Sequence, residues 1–275
     1  MDDPTTWPEA VYGPMGAVSL RESVRELWAY REVAWSFGMR RIRTRYKQAA
    51  FGFAWAIVQP LAFLALFVGF LGRGQDAKYA AGTFGALVAW QFVNSAVSGA
   101  GSSLIGEAGL LRKVYFPREC VVLGGVGSFL PDLILNLICL VAIGPFVGVT
   151  YGWHWLLVPL LAIDIVITAT AVCIPLAALA VYYRDVLYAL PFLVQIWLFG
   201  SPIAYAVDRV NESWRWLYAV LNPMVGPLVG FRNIVAADRA PDWKLLAYSG
   251  AATIVLLLGG YRWFKSLERE FAEVI

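Results

Sequence analysis

The chain has 275 residues, of which 60% are hydrophobic and only 15% charged, and its mean hydropathy is +0.64. One soluble core cannot bury so many apolar residues, which indicates a polytopic membrane protein. The net charge of +3 is too small to indicate nucleic-acid binding, and the three cysteines lie in apolar surroundings without the spacing of a disulfide framework.

The first 18 residues are acidic and rich in proline and glycine, and they lack the basic and apolar regions of a cleaved signal peptide. We expect residues 1–18 to form a cytoplasmic tail. Ser19 and Glu22 then have the S-x-x-E spacing of a helix-capping box. Apolar residues follow at steps of three and four, with charged residues between them, so residues 19–48 predict an amphipathic helix along the membrane surface. The alternative is a helix packed on a soluble domain.

Five cations crowd in front of the first long apolar segment: Arg40, Arg41, Arg43, Arg45 and Lys47. Because moving them across the bilayer would be costly, they place the N-terminus in the cytoplasm. A crossing needs about 20 apolar residues. The predicted spans are residues 49–71, 81–105, 121–149, 154–181, 187–206 and 243–264. The sequence therefore predicts an all-α transmembrane domain of six spans over residues 49–264, followed by a cytoplasmic tail over residues 265–275.

Residues 110–119, LLRKVYFPRE, form a short basic and aromatic segment between the second and third predicted spans. Its charges cannot enter hydrocarbon and its proline restricts the backbone, so it predicts a shaped cytoplasmic loop. The chain contains no G-x-x-x-x-G-K-S/T motif, and it therefore has no P-loop with which to bind ATP itself. We interpret the loop as the site where another protein binds and exerts force on the chain.

Residues 207–242 contain apolar stretches that are interrupted by Pro223, Gly226, Pro227 and Gly230. This pattern predicts short helices that dip into the outer leaflet and return, which is tolerated where protein or a water-filled cavity covers the backbone. We expect an external gate here, and a plain extracellular loop is the alternative. The gate candidates are Trp214, Trp216, Asn222, Pro223 and Phe231.

No catalytic or metal-binding cluster is visible in the sequence. The single histidine, His154, lies between Trp153 and Trp155, which is typical of an aromatic belt at the membrane interface. No group of His, Cys, Asp and Glu residues has the spacing of metal ligands. We therefore predict neither a catalytic site nor a metal site.

Two acidic residues, Asp132 and Asp164, fall within predicted spans, where an ionisable group is costly unless it faces a bundle interior or water. They could relay protons or contact a substrate, or they could bond to a neighbouring helix, with Asn136 one turn from Asp132. The small number of such acids and the lack of a visible internal repeat favour the structural interpretation.

Aromatic residues are dense in the first, second and fifth predicted spans. Aromatic faces stack well on sugar rings, so a channel lined by them would suit a glycan, whereas a lipid-facing position is the alternative interpretation. The candidates for lining a channel are Trp55, Gln59, Phe63, Phe67, Gln195, Trp197, Phe199 and Tyr205.

Six stretches of the chain, taken in order, carry a resemblance to a known family. They are RIRTRYKQAAFGFAWAIVQPL (41–61), LLRKVYFPRE (110–119), YYRDVLYALPF (182–192), SPIAYAV (201–207), LNPMVGPLVGFR (221–232) and LEREFAEVI (267–275). Together they resemble the permease subunit of type-2 ABC exporters, in the branch that exports polysaccharides and teichoic acids.

The resemblance implies a homodimer of six-span subunits around a channel, with ATP and Mg held by two separate ABC ATPase subunits and no cofactor on this chain. It implies an external gate between the fifth and sixth spans and a lipid-linked glycan, such as O-antigen or teichoic acid, as the substrate. The implied location is the bacterial cytoplasmic (inner) membrane, with both termini in the cytoplasm. The coupling helix that it implies comprises Leu111, Arg112, Lys113, Val114, Tyr115, Phe116, Pro117 and Arg118.

Three other functions remain as alternatives. A drug or lipid exporter would belong to the same class of permease. A membrane-embedded glycan-processing enzyme would need a carboxylate or basic cluster at one membrane face. A proton-coupled carrier would depend on Asp132 or Asp164 and would need no ATPase.

Overall fold

The computed structural model describes residues 20–47, 54–55, 57–59, 61–62, 65, 77–111, 113–147, 149, 151–203, 205–268 and 271. Over these residues the chain is helical and forms no β-strand. The α-helices are α1 (Leu20–Ala29), α2 (Arg31–Lys47), α3 (Ala77–Ala100), α4 (Ser103–Gly106), α5 (Ala108–Leu111), α6 (Glu119–Gly127), α7 (Leu130–Ile143), α8 (Val158–Tyr182), α9 (Asp185–Phe199), α10 (Glu212–Leu221), α11 (Val225–Ala237) and α12 (Trp243–Leu267). Short 3-10 helices lie at Gly144–Val147, Trp153–Leu157 and Val207–Arg209.

Three helical segments of the described chain are long and apolar enough to cross a membrane: Glu119–Phe146, Trp153–Tyr182 and Trp243–Leu267. Helices α10 and α11 pass the same test together, but a bend of 115° separates them, as in a broken span or a re-entrant loop. Helix α9 is apolar and only 15 residues long, short of the about 20 that a crossing needs. The all-helical class is therefore confirmed with three to four candidate spans.

The first predicted span, residues 49–71, lies mostly outside the described residues. Its described positions, 54–55, 57–59, 61–62 and 65, are helical. The second predicted span corresponds to α3, which has 24 residues. The count of six spans stays a prediction.

The amphipathic segment before the first span forms two helices, α1 and α2, and the break lies at Tyr30. Trp28 and Trp35 are about 70% exposed, which suits indole rings in a headgroup layer. Phe37 and Gly38, on the other side of α2, are buried. Ser19 of the expected capping box lies outside the described residues. The segment thus has one outer aromatic face and one face packed on the protein.

Helix α3 forms the centre of the bundle and packs against α7, α8 and α11. Nearly all of its side chains from Ala81 to Val97 are buried. Helix α11 is also buried along most of its length, and α3 is the helix that it contacts most extensively. Because most of α11 is buried against other helices, it is a structural part of the bundle and not a plain loop.

Helix α2 crosses α6 at a point where both helices have glycine. A Cβ on Gly124 would lie 2.7 Å from the carbonyl oxygen of Ala34 and 2.8 Å from Cβ of Phe37. Gly38 faces the same crossing, because its own Cβ would lie 3.2 Å from the carbonyl oxygen of Gly124. Small residues at a crossing allow two backbones to approach closely. The glycine-rich sequence at 124–127 therefore serves helix packing at position 124.

We predict that Gly124→Ala destabilises the protein by about 1–3 kcal/mol, because the added methyl group meets backbone atoms that cannot move independently. Gly127→Ala is the matched control in the same helix, since a Cβ at Gly127 meets nothing within 4 Å. Thermal unfolding of the purified variants in detergent measures both effects. Equal loss of stability in the two variants would show that the crossing is not tight.

Candidate coupling loop and external hairpin

The loop over residues 110–119 leaves α5 at Leu111 and enters α6 at Glu119. Residues 113–117 form a turn followed by irregular backbone, which differs from the predicted coupling helix, and Arg112 lies outside the described residues. Phe116 precedes Pro117, and a residue before proline is pushed away from helical backbone angles. The loop is therefore a shaped, non-helical connection.

The tip and the base of this loop differ in exposure. Lys113 is exposed, and Val114 and Tyr115 are 55% and 60% exposed. Phe116 is buried, and its ring centroid lies 5.3 Å from that of Phe37 in α2. A loop that is anchored at its base and presents apolar and basic groups at its tip is suited to contact with another protein.

The base of the loop is held by a buried ion pair. Glu119 is fully buried, and its Oε1 lies 2.7 Å from Nζ of Lys265 in α12. The hydroxyl of Tyr261, also in α12, donates to the same oxygen at 2.8 Å. Ser23 of α1 hydrogen-bonds to Tyr261. This chain of contacts joins α1, the loop and the last helix.

Arg118 extends the contact to the C-terminal segment. Its backbone N–H donates to Oε1 of Glu268 at 3.2 Å, and its guanidinium donates to the carbonyl oxygen of the same residue. The guanidinium also lies 5.6 Å from the ring centroid of Phe271. Burial lowers the pKa of Arg118, and the negative charge of Glu268 opposes that effect. Two of the stretches that carried the family resemblance, LLRKVYFPRE and LEREFAEVI, therefore meet here.

The cations of α2 contact the bundle through several polar groups. Nη2 of Arg45 lies 2.6 Å from Oδ2 of Asp132 and donates to the carbonyl of Ser128 at 3.0 Å. Tyr46 donates its hydroxyl to Oδ1 of Asp132. Burial, followed by the hydrogen bond to Asp132, raises the pKa of Tyr46 to about 12, so the phenol stays protonated as a donor. Arg40 pairs with Glu107.

The two predicted buried acids thus have different surroundings. The carboxylate of Asp132 is paired with the surface helix, while Asn136 donates to its backbone carbonyl at 2.8 Å. Asp164 lies in α8, and its Oδ2 is buried without a hydrogen-bond partner in the described part of the chain. The two side chains share no contact that could relay a proton between them.

The hairpin formed by α10 and α11, which the sequence predicts to be external, turns around Asn222. Trp197 Nε1 and the backbone N–H of Met224 donate to its Oδ1 at 2.9 and 3.1 Å. Its Nδ2 donates to the carbonyl of Gly200 at 3.1 Å and to Oγ of Ser201 at 2.9 Å. Four hydrogen bonds satisfy the amide completely. Asn222 therefore ties the 115° bend to the end of α9.

Two tyrosines add hydrogen bonds between this hairpin and the segment that follows α9. The hydroxyl of Tyr218 donates to the carbonyl of Gly200 at 2.8 Å and lies 2.9 Å from the hydroxyl of Tyr205. Arg232 donates to the carbonyl of Tyr205 at 2.8 Å and lies over the ring of Tyr79 at 4.7 Å. The hairpin is thus bonded on one side to α9 and on the other to α3.

The gate candidates divide between the surface and the core. Trp214 and Trp216 are 60% and 49% exposed on α10. Asn222, Pro223 and Phe231 are buried. The exposed tryptophans are available to lipid or to a passing substrate, whereas the buried three hold the hairpin in place.

The channel candidates lie in different places. Gln59 accepts from Gln91 at 2.8 Å beside a small polar cavity of about 20 Å³ that Asp132 also lines. Gln195 lines a separate cavity of about 60 Å³. Trp197 stacks edge-on against Trp90 at 5.3 Å.

Of the remaining channel candidates, Trp55 and Phe199 are exposed, and Tyr205 is half-buried against the hairpin. Phe63 and Phe67 lie outside the described residues. The described channel candidates therefore do not line one common cavity.

Three features were not predicted from the sequence. They are the ion pair of Glu119 with Lys265, the pairing of Asp132 with Arg45, and the four hydrogen bonds of the Asn222 side chain. The available signal for Glu119 was an acidic residue directly before an apolar run, with Lys265 directly after another. Nothing in the sequence alone identifies which of the cations in α2 would reach Asp132.

We predict that Asp132→Asn lowers the free energy of unfolding by about 1–3 kcal/mol, because Arg45 loses a charged partner inside the protein. Asp164→Asn is the matched control, since it removes a buried charge that no described hydrogen bond supports, and we expect it to be neutral or stabilising. Thermal unfolding in detergent compares them. A larger loss for Asp164→Asn would contradict this assignment.

Comparison with known proteins identifies the family of the chain. Residues 32–235 match the ABC-2 type transporter family. The chain is 30% identical over 257 residues to the O-antigen export system permease protein RfbA of Myxococcus xanthus, covering 92% of this chain and 98% of the relative. It is 24% identical over 241 residues to a protein of the same name from Klebsiella pneumoniae, covering 85% and 91%. The chain belongs to the ABC-2 type transporter family.

Proposed function

We propose that the chain is the membrane subunit of an ATP-driven exporter of a lipid-linked cell-envelope glycan. The observation that carries this proposal is the loop over residues 110–119, whose tip is exposed and whose base is fixed to three helices. The chain contains no P-loop. A separate ATPase that presses on the tip supplies the work, and ATP and Mg are bound by that partner.

The proposed transporter is a homodimer of six-span subunits with two ATPase subunits, in the bacterial cytoplasmic membrane. The five cations of residues 40–47 and the basic loop support a cytoplasmic position for α1, α2 and the loop. Residues 1–18 and 265–275 then lie on the same side. The channel forms between two copies, which accords with the separate positions of the channel candidates in one chain.

The substrate class rests on the relatives and on the aromatic surface. The two relatives compared above carry the name O-antigen export system permease, and one of them aligns over 98% of its length. The exposed rings of Trp214 and Trp216 on the hairpin, and of Phe199 at the end of α9, provide surfaces on which sugars stack. O-antigen or a related lipid-linked polymer is therefore the proposed cargo, ahead of a drug or a simple lipid.

Two other classes of function lack comparable support. A proton-coupled carrier needs a titratable path through the membrane, but Asp132 is bound to Arg45 and Tyr46 and has no contact with Asp164. A glycan-processing enzyme needs reactive groups at one membrane face, and the buried Glu119 is engaged by Lys265 and lies away from solvent.

We predict that Tyr115→Ala and Lys113→Glu weaken binding of the ATPase by about 2 kcal/mol each, the loss typical of a central interface residue, and reduce export accordingly. Tyr248→Ala is the control, because Tyr248 is 43% exposed on α12 away from the loop. Affinity between the purified permease and its partner ATPase measures the effect. Unchanged binding and export in both loop variants would refute the proposed contact.

We also predict that export in membrane vesicles requires ATP and persists when an ionophore collapses the proton gradient. Inactivating the partner ATPase should stop export and cause lipid-linked glycan to accumulate on the cytoplasmic side. Glycan labelling on each face of the vesicle measures both results. Loss of export with the ionophore while ATP is present would favour the proton-coupled carrier instead.

A further inference from the structure

Helix α12 contacts the external hairpin near one end and the coupling loop at the other. The hydroxyl of Ser249 accepts from the backbone N–H of Gly226 at 2.9 Å and lies 3.4 Å from the carbonyl oxygen of Ala219. Ser249 is fully buried. These two bonds attach α12 to both helices of the hairpin, on either side of the bend.

The second attachment lies 12 to 16 residues further along α12. Tyr261 and Lys265 hold Oε1 of Glu119, as described above. At about 1.5 Å per residue, the two attachments are separated by roughly 18–24 Å along the helix axis. One continuous helix without proline therefore connects the base of the loop to the hairpin.

Contacts along the middle of α12 keep it against the long helix α8. Thr253 and Thr168 share a buried hydrogen bond of 2.9 Å. A Cβ on Gly260 would lie 3.1 Å from the ring of Pro175, so the two backbones are close there. A packed helix of this kind moves as a unit and does not bend freely at its centre.

The contact at Glu119 has the chemistry of a firm attachment. Its carboxylate is completely buried, and Oε2 has no hydrogen-bond partner among the described residues, so its polar contacts to α12 all run through Oε1. Among the described residues, Lys265 is the cation that pairs with Glu119, and separating this buried carboxylate from it leaves a charge unpaired in a low-dielectric interior, which is strongly unfavourable. A displacement of the loop therefore takes α12 with it.

We propose that α12 transmits movement of the coupling loop to the external hairpin, and that Glu119 is the positioning residue that attaches the loop to α12. The inference rests on the proposed function, because the partner ATPase supplies the movement. It assigns a role to Tyr261 and Lys265 at the cytoplasmic end and to Ser249 at the external end. Nucleotide binding at the ATPase is thereby coupled to the position of the hairpin.

The test uses the complete complex of permease and ATPase in lipid vesicles, with a spin label at Glu212→Cys on the exposed start of α10. ATP with vanadate should change the mobility of the label in the parent protein. Glu119→Gln and Lys265→Met should reduce that change by roughly five- to tenfold, in the range of known coupling free energies, while ATP hydrolysis stays at the parent level. Ser249→Ala should have the same effect from the other end.

Two matched variants distinguish loss of the attachment between Glu119 and α12 from general loss of structure. Lys265→Arg keeps the ion pair and should keep the response of the label. Arg262→Gln removes an exposed cation one turn away on the same helix and should also keep it. In complexes that assemble, a purely structural role for Glu119 would lower ATP hydrolysis together with the response, and that result would overturn the proposal.

A full response of the label in Glu119→Gln and in Ser249→Ala would also overturn it. If Glu119→Gln does not assemble, Ser249→Ala decides in the same way, since it removes only one hydroxyl. Glycan export measured in the same vesicles tests the proposed function separately. Export without any response of the hairpin overturns only the transmission by α12, whereas a response without export contradicts only the glycan assignment.

Discussion

The fold depends on a few polar side chains that pair with one another inside an apolar bundle. Asp132 is bound by Arg45, Glu119 by Lys265, and Asn222 makes four hydrogen bonds. Each pair joins elements far apart in sequence, because a helix in hydrocarbon satisfies its own backbone and leaves only side chains to bind its neighbours. The polar residues thus specify which helices meet, while the apolar residues fill the space between them.

These polar contacts also divide the molecule into two functional ends. The contacts of Arg118 and Glu119 lie where the chain offers an exposed loop tip, and the contacts of Asn222 lie where a helix pair bends by 115°. Membership of the ABC-2 type transporter family implies a partner ATPase, and we propose that this partner contacts the first end. The bundle between them, centred on α3, is tightly packed and suited to carry displacement from one end to the other.

Hydropathy predicted the helical class and a bent pair of helices around Pro223, while the position of α1 and α2 on the membrane surface stays a prediction. These features follow from local composition, which a sequence displays directly. The coupling segment was predicted as a helix, yet it is irregular at 113–117, because Pro117 restricts the residue before it. The partners of Asp132 and Glu119 were not predictable, since spacing along one chain does not show which cation crosses to which acid. Asn222 likewise was one gate candidate among several. Its structural importance comes from the hydrogen bonds that its side chain accepts from Trp197 in α9 and from the backbone N–H of Met224 at the bend.

The burial of α11 has a consequence for how the protein is made. Helix α11 packs on α3, and the backbone N–H of Gly226 near its start is satisfied by Ser249 of α12, a helix that is synthesised after the hairpin. Until α12 is in the membrane, the backbone N–H of Gly226 lacks its bond to Ser249, and the side of the hairpin that packs on α12 is uncovered. The packing of the hairpin is therefore completed only after α12 has been made.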